Sequence, residues 1–169
     1  MVRALNKLSD LIFLVCKVLL ICLSVEITVI IGANIFGRYI LQSSLYWAEE
    51  VTRYSFVWMT FFGAACAYKQ RGLVSMSVLT HRIRPDLRWR VGLIIDLVMT
   101  VFMLIAFVYG TILTAAVYRQ TSASLIIPMT YVYLCLPLSF LFMLVFNLTQ
   151  IVTVLKSRKP LPIWGEEWS

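Results

Sequence analysis

The chain has 169 residues, 61% of them hydrophobic and 14% charged, with a mean hydropathy of +0.88. Soluble domains run near 45–50% apolar and about 25% charged, so a water-coated globule, a disordered tail, a collagen-like fibre and a secreted disulfide scaffold are excluded. The net charge of +7 would suggest nucleic acid in a soluble protein; here the cations fall between apolar runs, so they report membrane topology and no nucleic-acid partner is expected.

A helix crossing a bilayer needs about 20 mostly apolar residues, because its backbone groups must be satisfied internally. Charged residues therefore mark the boundaries of the spans. The first runs over about 11–37, broken in its apolar stretch by Lys17 and Glu26. Its basic N-terminal flank imitates a secretory signal, but no small-x-small cleavage site follows, so the helix is expected to be retained. A second span covers about 47–68, with Glu49, Glu50 and Arg53 at the water interface. Residues 69–90 form a basic loop whose apolar centre, Val74 to Leu79, is too short to span and is read as lying at the membrane interface. The third span covers about 91–118 and the fourth about 128–155, with Pro128 in its first turn and Pro137 inside it, where a proline kinks a helix or marks a packing contact. A cytoplasmic tail, 156–169, follows. The expected fold is an all-α integral membrane protein of one domain with four transmembrane helices.

Lys and Arg set the orientation. Eleven lie before the first span, between the second and third, and after the fourth, against Arg38, Arg53 and Arg119 on the other side. The positive-inside rule places both termini in the cytoplasm.

The chemical inventory offers no active site. Cys16, Cys22, Cys66 and Cys135 all fall within spans without a C-x-x-C pair, so they read as small apolar residues. The single histidine, His81, lies in the basic loop, which excludes a haem-bearing anchor. No metal-ligand spacing, phosphate loop or nucleophile motif is present, so neither a catalytic, a cofactor-binding nor a metal site is expected.

Intramembrane ionisable groups carry more information, because they face a partner or a cavity. At about 1.5 Å per residue, Lys17 and Asp96 lie at similar depth from one membrane face, which suggests an ion pair between the first and third helices. The alternative is that Lys17 snorkels to the headgroups. Glu26 is deeper: a coupling-ion or proton site, a protonated carboxyl, or a group bonded to a polar group of a partner subunit. Trp47, Glu49, Glu50 and Arg53 form a polar cluster in which Arg53 follows Glu50 by three residues and Glu49 by four, so both carboxylates can meet it on one helix face. Gly63 and Ala67 stand at small-x-x-x-small spacing, the pattern of close helix approach in lipid.

Several stretches together resemble a known family. Asn34-Ile-Phe-Gly-Arg38-Tyr, Trp47-Ala-Glu-Glu50-Val-Thr-Arg53-Tyr, Phe62-Gly63-Ala-Ala-Cys-Ala-Tyr-Lys69-Gln-Arg71-Gly72 and Ser124-Leu-Ile-Ile-Pro128-Met-Thr-Tyr-Val-Tyr133-Leu-Cys-Leu-Pro137 are similar to the DctQ-like small membrane subunit of tripartite ATP-independent periplasmic (TRAP) transporters. Leu73 stands where that family often has His. The resemblance implies a non-catalytic subunit in a bacterial inner membrane. It would scaffold a large polytopic membrane subunit that binds substrate and Na⁺, fed by a periplasmic substrate-binding protein. The cargo class would be a carboxylate-bearing organic acid such as a C4-dicarboxylate, a sialic acid or a keto acid. It also implies that Trp47, Glu49, Glu50 and Arg53 order a subunit junction or a docking surface, that Gly63 is a close-packing point, and that Gly72 ends the second helix. The competing reading is a self-sufficient small homodimeric transporter that uses Glu26.

Overall fold

The computed structural model describes residues 2–40, 42, 46–70, 85–122 and 124–157. The interfacial segment expected around Val74 to Leu79, Gly72, Leu73, His81 and the tail from 158 onward lie outside these residues. Helices account for nearly all of the described chain: α1 (Val2–Tyr39), α2 (Tyr46–Lys69), α3 (Pro85–Ala116), a 3₁₀ turn (Val117–Arg119), α4 (Thr130–Tyr133) and α5 (Cys135–Ser157). No strand forms among the described residues; an isolated bridge pairs Thr121 with Pro128.

Three helical stretches are long and apolar enough to cross a membrane: Leu5–Tyr39, Arg90–Arg119 and Thr130–Leu155. The chain is therefore an all-α membrane protein. The sequence reading counts a fourth, α2, whose 24 residues span about 36 Å at 1.5 Å each. Its composition is more polar than that of the other three, and its position explains this. α2 packs along α1 and along α5 and also meets α4, while α3 packs chiefly on α5. A helix walled by neighbours exposes less surface to hydrocarbon and tolerates charge at its ends.

Apolar side chains cover the joints between these helices. One cluster joins Ala65 and Tyr68 of α2 to Met103 of α3 and to Met143, Leu144 and Phe146 of α5. A second joins Cys16 of α1, Phe62 of α2 and Cys135 of α5. Rings stack or meet edge-on through this seam, with Trp58 and Phe62 at 5.5 Å and Phe62 and Phe142 at 5.8 Å between centroids. Cys16 and Cys135 are buried as small apolar fillers, and Cys66 packs beside them at the joint of α1, α2 and α5. Cys22, by contrast, is exposed on the outer face of α1.

Pro137 splits the last membrane stretch into α4 and α5. A proline has no N–H to give the carbonyl four residues back, here that of Tyr133. The Thr114 hydroxyl lies 3.2 Å from that carbonyl and 2.7 Å from the Gly110 carbonyl of its own helix. Gly110 meets the proline directly: a Cβ there would stand 3.4 Å from Leu136 Cβ and 3.7 Å from Pro137 Cδ. The tight approach expected at Gly63 falls here instead, since nothing lies within 4 Å of a Cβ placed on Gly63. Pro128, expected in the first helical turn, stands two residues before α4, and its carbonyl accepts the Tyr131 N–H at 3.2 Å.

Candidate functional site

The expected polar cluster divides in two. Glu50, in the first turns of α2, turns inward. Its Oε1 accepts the Tyr54 hydroxyl at 2.6 Å, and its Oε2 accepts the backbone N–H groups of Ser124 and Leu125 at 2.9 and 3.0 Å. Ser122 Oγ accepts the Leu125 N–H at 3.2 Å. Donors on both oxygens suit a carboxylate, which offers only acceptors.

What Glu50 holds is the connection between α3 and α4. Ser122 N–H bonds to Ile127 at 2.9 Å and Met129 N–H to Gln120 at 2.9 Å, so the segment doubles back on itself. Ile126 sits at the turn with φ 54°, a left-handed conformation that a β-branched residue adopts only when its surroundings impose it. It is also 75% exposed. Glu50 thus fixes a loop that presents an apolar residue outward.

Glu49 and Arg53 turn the other way. Both are exposed, and neither makes an ion pair among the described residues, so the three-charge cluster drawn from helical spacing does not form. Spacing allows an i,i+4 contact, but Glu50 is drawn to the backbone donors of a distant loop. Glu49 and Arg53 instead rim a cavity between α1 and α2, while Trp47 lies exposed at the start of α2.

The intramembrane groups also resolve differently from the sequence reading. Lys17 is exposed on α1 and Asp96 is buried on α3, and no ion pair joins them. The reason is topological, because α1 and α3 lie on different sides of α2 and α5 and share no substantial contact. Asp96 instead belongs to a turn of α3 read by α5. Asn147, fully buried, donates from Nδ2 to the Asp96 carbonyl and to Thr100 Oγ1, both at 3.0 Å. Glu26 accepts the hydroxyl of Ser55, a buried residue of α2, at 3.1 Å.

A second latch, which sequence reasoning missed, closes the opposite end of α2. Lys69 Nζ lies 2.8 Å from Asp10 Oδ1 and donates to the Ser9 carbonyl at 2.8 Å. It also stands 4.7 Å from the ring centre of Phe13 and 5.3 Å from that of Phe146. One cation thereby holds α1, α2 and α5 together. The signal was available: Lys69 closes α2 and Asp10 stands near the start of α1, the ends that two antiparallel helices bring together.

The family model for the DctQ component of tripartite ATP-independent periplasmic transporters matches residues 27–157. The chain belongs to that family. It is also similar to a Haemophilus influenzae protein named as a TRAP transporter small permease, 31% identical over 68 residues. That match spans 39% of this chain and 42% of the relative. The Glu50 staple, Glu26 and Asn147 all lie on helices or loops within the family match or at its border, whereas Asp10 precedes it.

Proposed function

We propose that this TRAP small subunit is a non-catalytic scaffold for the large transport subunit of a Na⁺-coupled, binding-protein-dependent importer. It sits in a bacterial inner membrane with four spans and both termini cytoplasmic. The imported substrates are carboxylate-bearing organic acids, and Na⁺ is bound by the partner subunit. The observation that carries the reading is the Glu50 staple. A scaffold subunit needs a rigid surface on the side where a soluble binding protein delivers its cargo. By the charge distribution that side is the one bearing Arg38, Arg53 and Arg119. There Glu50 ties α2 to the loop before α4, so loop and helix end present one fixed face.

The polar groups inside the bundle support a structural role. Glu26 meets Ser55 of its own chain, and Asn147 meets α3, so these groups join helix to helix. The outer faces of α1 and α3 carry rows of exposed Val, Leu, Ile and Phe, the surface a membrane subunit offers to lipid and to a larger partner.

Purification of the tagged protein from native membranes in mild detergent tests this reading. The expected result is a stoichiometric large polytopic partner, with uptake of an organic acid that requires both chains and a Na⁺ gradient. A homodimer that moves substrate alone, with transport abolished by Glu26→Gln, would overturn it.

A further inference from the structure

Between α1 and α2, at the Glu50 end of the bundle, lies a cavity of about 370 Å³. Its walls are Ile31 and Ile35 of α1 and Phe56 of α2, and the buried Ala48 is part of its lining. Ile35 and Phe56 are about half exposed, so the cavity opens sideways from the bundle. In a bilayer, such a groove faces acyl chains.

Charge at its mouth selects what fills it. Glu49 and Arg53 rim the groove. Residues 31, 34, 35 and 38 follow the three- and four-residue spacing of one helix face, so Arg38 continues the wall's stripe one turn beyond Ile35. Arg38, Glu49 and Arg53 are all exposed, and none makes an ion pair among the described residues. Two guanidinium groups are matched by a phosphate, which they bind through paired N–H bonds. One carboxylate beside them is matched by an ammonium group. A single molecule carries an apolar chain, a phosphate and an ammonium group in that order.

We propose that this groove is a binding site for a phosphatidylethanolamine-type phospholipid. Its acyl chain lies against Ile31, Ile35 and Phe56, its phosphate meets Arg53 and Arg38, and its ammonium group meets Glu49. The lipid would fill the cavity that α1 and α2 line together.

Native mass spectrometry of the membrane-extracted complex, reconstituted in nanodiscs of equal parts phosphatidylethanolamine and phosphatidylglycerol, tests the assignment. The wild type should retain phosphatidylethanolamine preferentially. Arg53→Gln should lower retention about fivefold, as expected for losing one cation at a lipid headgroup, whereas Arg53→Lys should keep most of it. Glu49→Gln should move the preference toward phosphatidylglycerol, a change that misfolding cannot mimic. Identical lipid retention and composition in all variants would overturn the proposal. So would a photo-cross-linker at position 35 that captures a partner polypeptide and no lipid.

Discussion

Glu50 serves donors from two distant segments of the chain, Tyr54 and Ser124 with Leu125, while its neighbour Glu49 serves none within the described protein. The difference follows from one helical step of about 100°, which aims Glu50 at the α3–α4 connection and Glu49 at the groove on α1. Removing the Glu50 carboxylate strands the Ser124 N–H and leaves the Leu125 N–H to Ser122 Oγ and the Tyr54 hydroxyl to Met129 Sδ. Ser124 is exposed, so water can replace part of the loss. Glu50→Ala should therefore cost about 1–3 kcal/mol and free the loop. Tyr54→Phe removes one donor and leaves both backbone bonds, so its cost should be about 1 kcal/mol or less. Thermal unfolding of the purified complex gives the ranking, and protease digestion within 120–129 reports the loop. If Glu50→Ala matched wild type in both measurements, the staple would carry no structural weight.

At the scale of elements, the sequence makes the helices legible because apolar length and charged boundaries are local properties. Spans read as 11–37, 47–68, 91–118 and 128–155 fall on α1, α2, α3 with its 3₁₀ turn, and α4 with α5. Contacts between helices are less legible. Lys17 and Asp96 share a depth, but depth does not say which helices are neighbours, and α1 does not pack on α3. Gly63 has the right spacing for a close approach, yet Gly110 makes one because Pro137 faces it. The Glu50 cluster was half readable. Its residues were picked out by charge, but the loop donors that decide its geometry are backbone groups, which carry no sequence signal.

The Pro137 break gives a test of this helix-to-helix logic. The Tyr133 carbonyl has lost its intrahelical donor and has the Thr114 hydroxyl within reach. Thr114→Val should leave that carbonyl unsatisfied at a cost of about 1 kcal/mol. Pro137→Ala restores an N–H at position 137, so the double variant Thr114→Val with Pro137→Ala should lose less than the sum of the two single changes. Thermal unfolding of the three variants measures the coupling. Strict additivity would mean that the hydroxyl does not serve this carbonyl.

For the whole molecule, α2 is the organising element. Lys69 ties one end to α1 beside Phe13 and Phe146, and Glu50 ties the other to the loop before α4. A helix latched by charge at both ends has those ends at opposite polar boundaries, because burying either charge in hydrocarbon would cost several kcal/mol. α2 should therefore cross the bilayer despite its lower apolarity, with Lys69 on the basic, cytoplasmic side and Glu50 facing out. Single cysteines placed at Lys7, Gln70 and Gln120, in a chain whose four native cysteines are replaced by Ala or Ser, can establish this. A membrane-impermeant maleimide should label Gln120→Cys in cells whose outer membrane alone has been opened. Lys7→Cys and Gln70→Cys should react only after the inner membrane is permeabilised. The position that decides the span count is Gln70, because α1 and α2 separate it from Lys7 and the two share a side only if α2 crosses as α1 does. Labelling of Gln70→Cys from outside while Lys7→Cys stays protected would reduce the spans to three and remove α2 from the membrane core. Labelling of Lys7→Cys in sealed spheroplasts would invert the assigned orientation, and the Glu50 loop would then face the cytoplasm, away from any periplasmic binding protein.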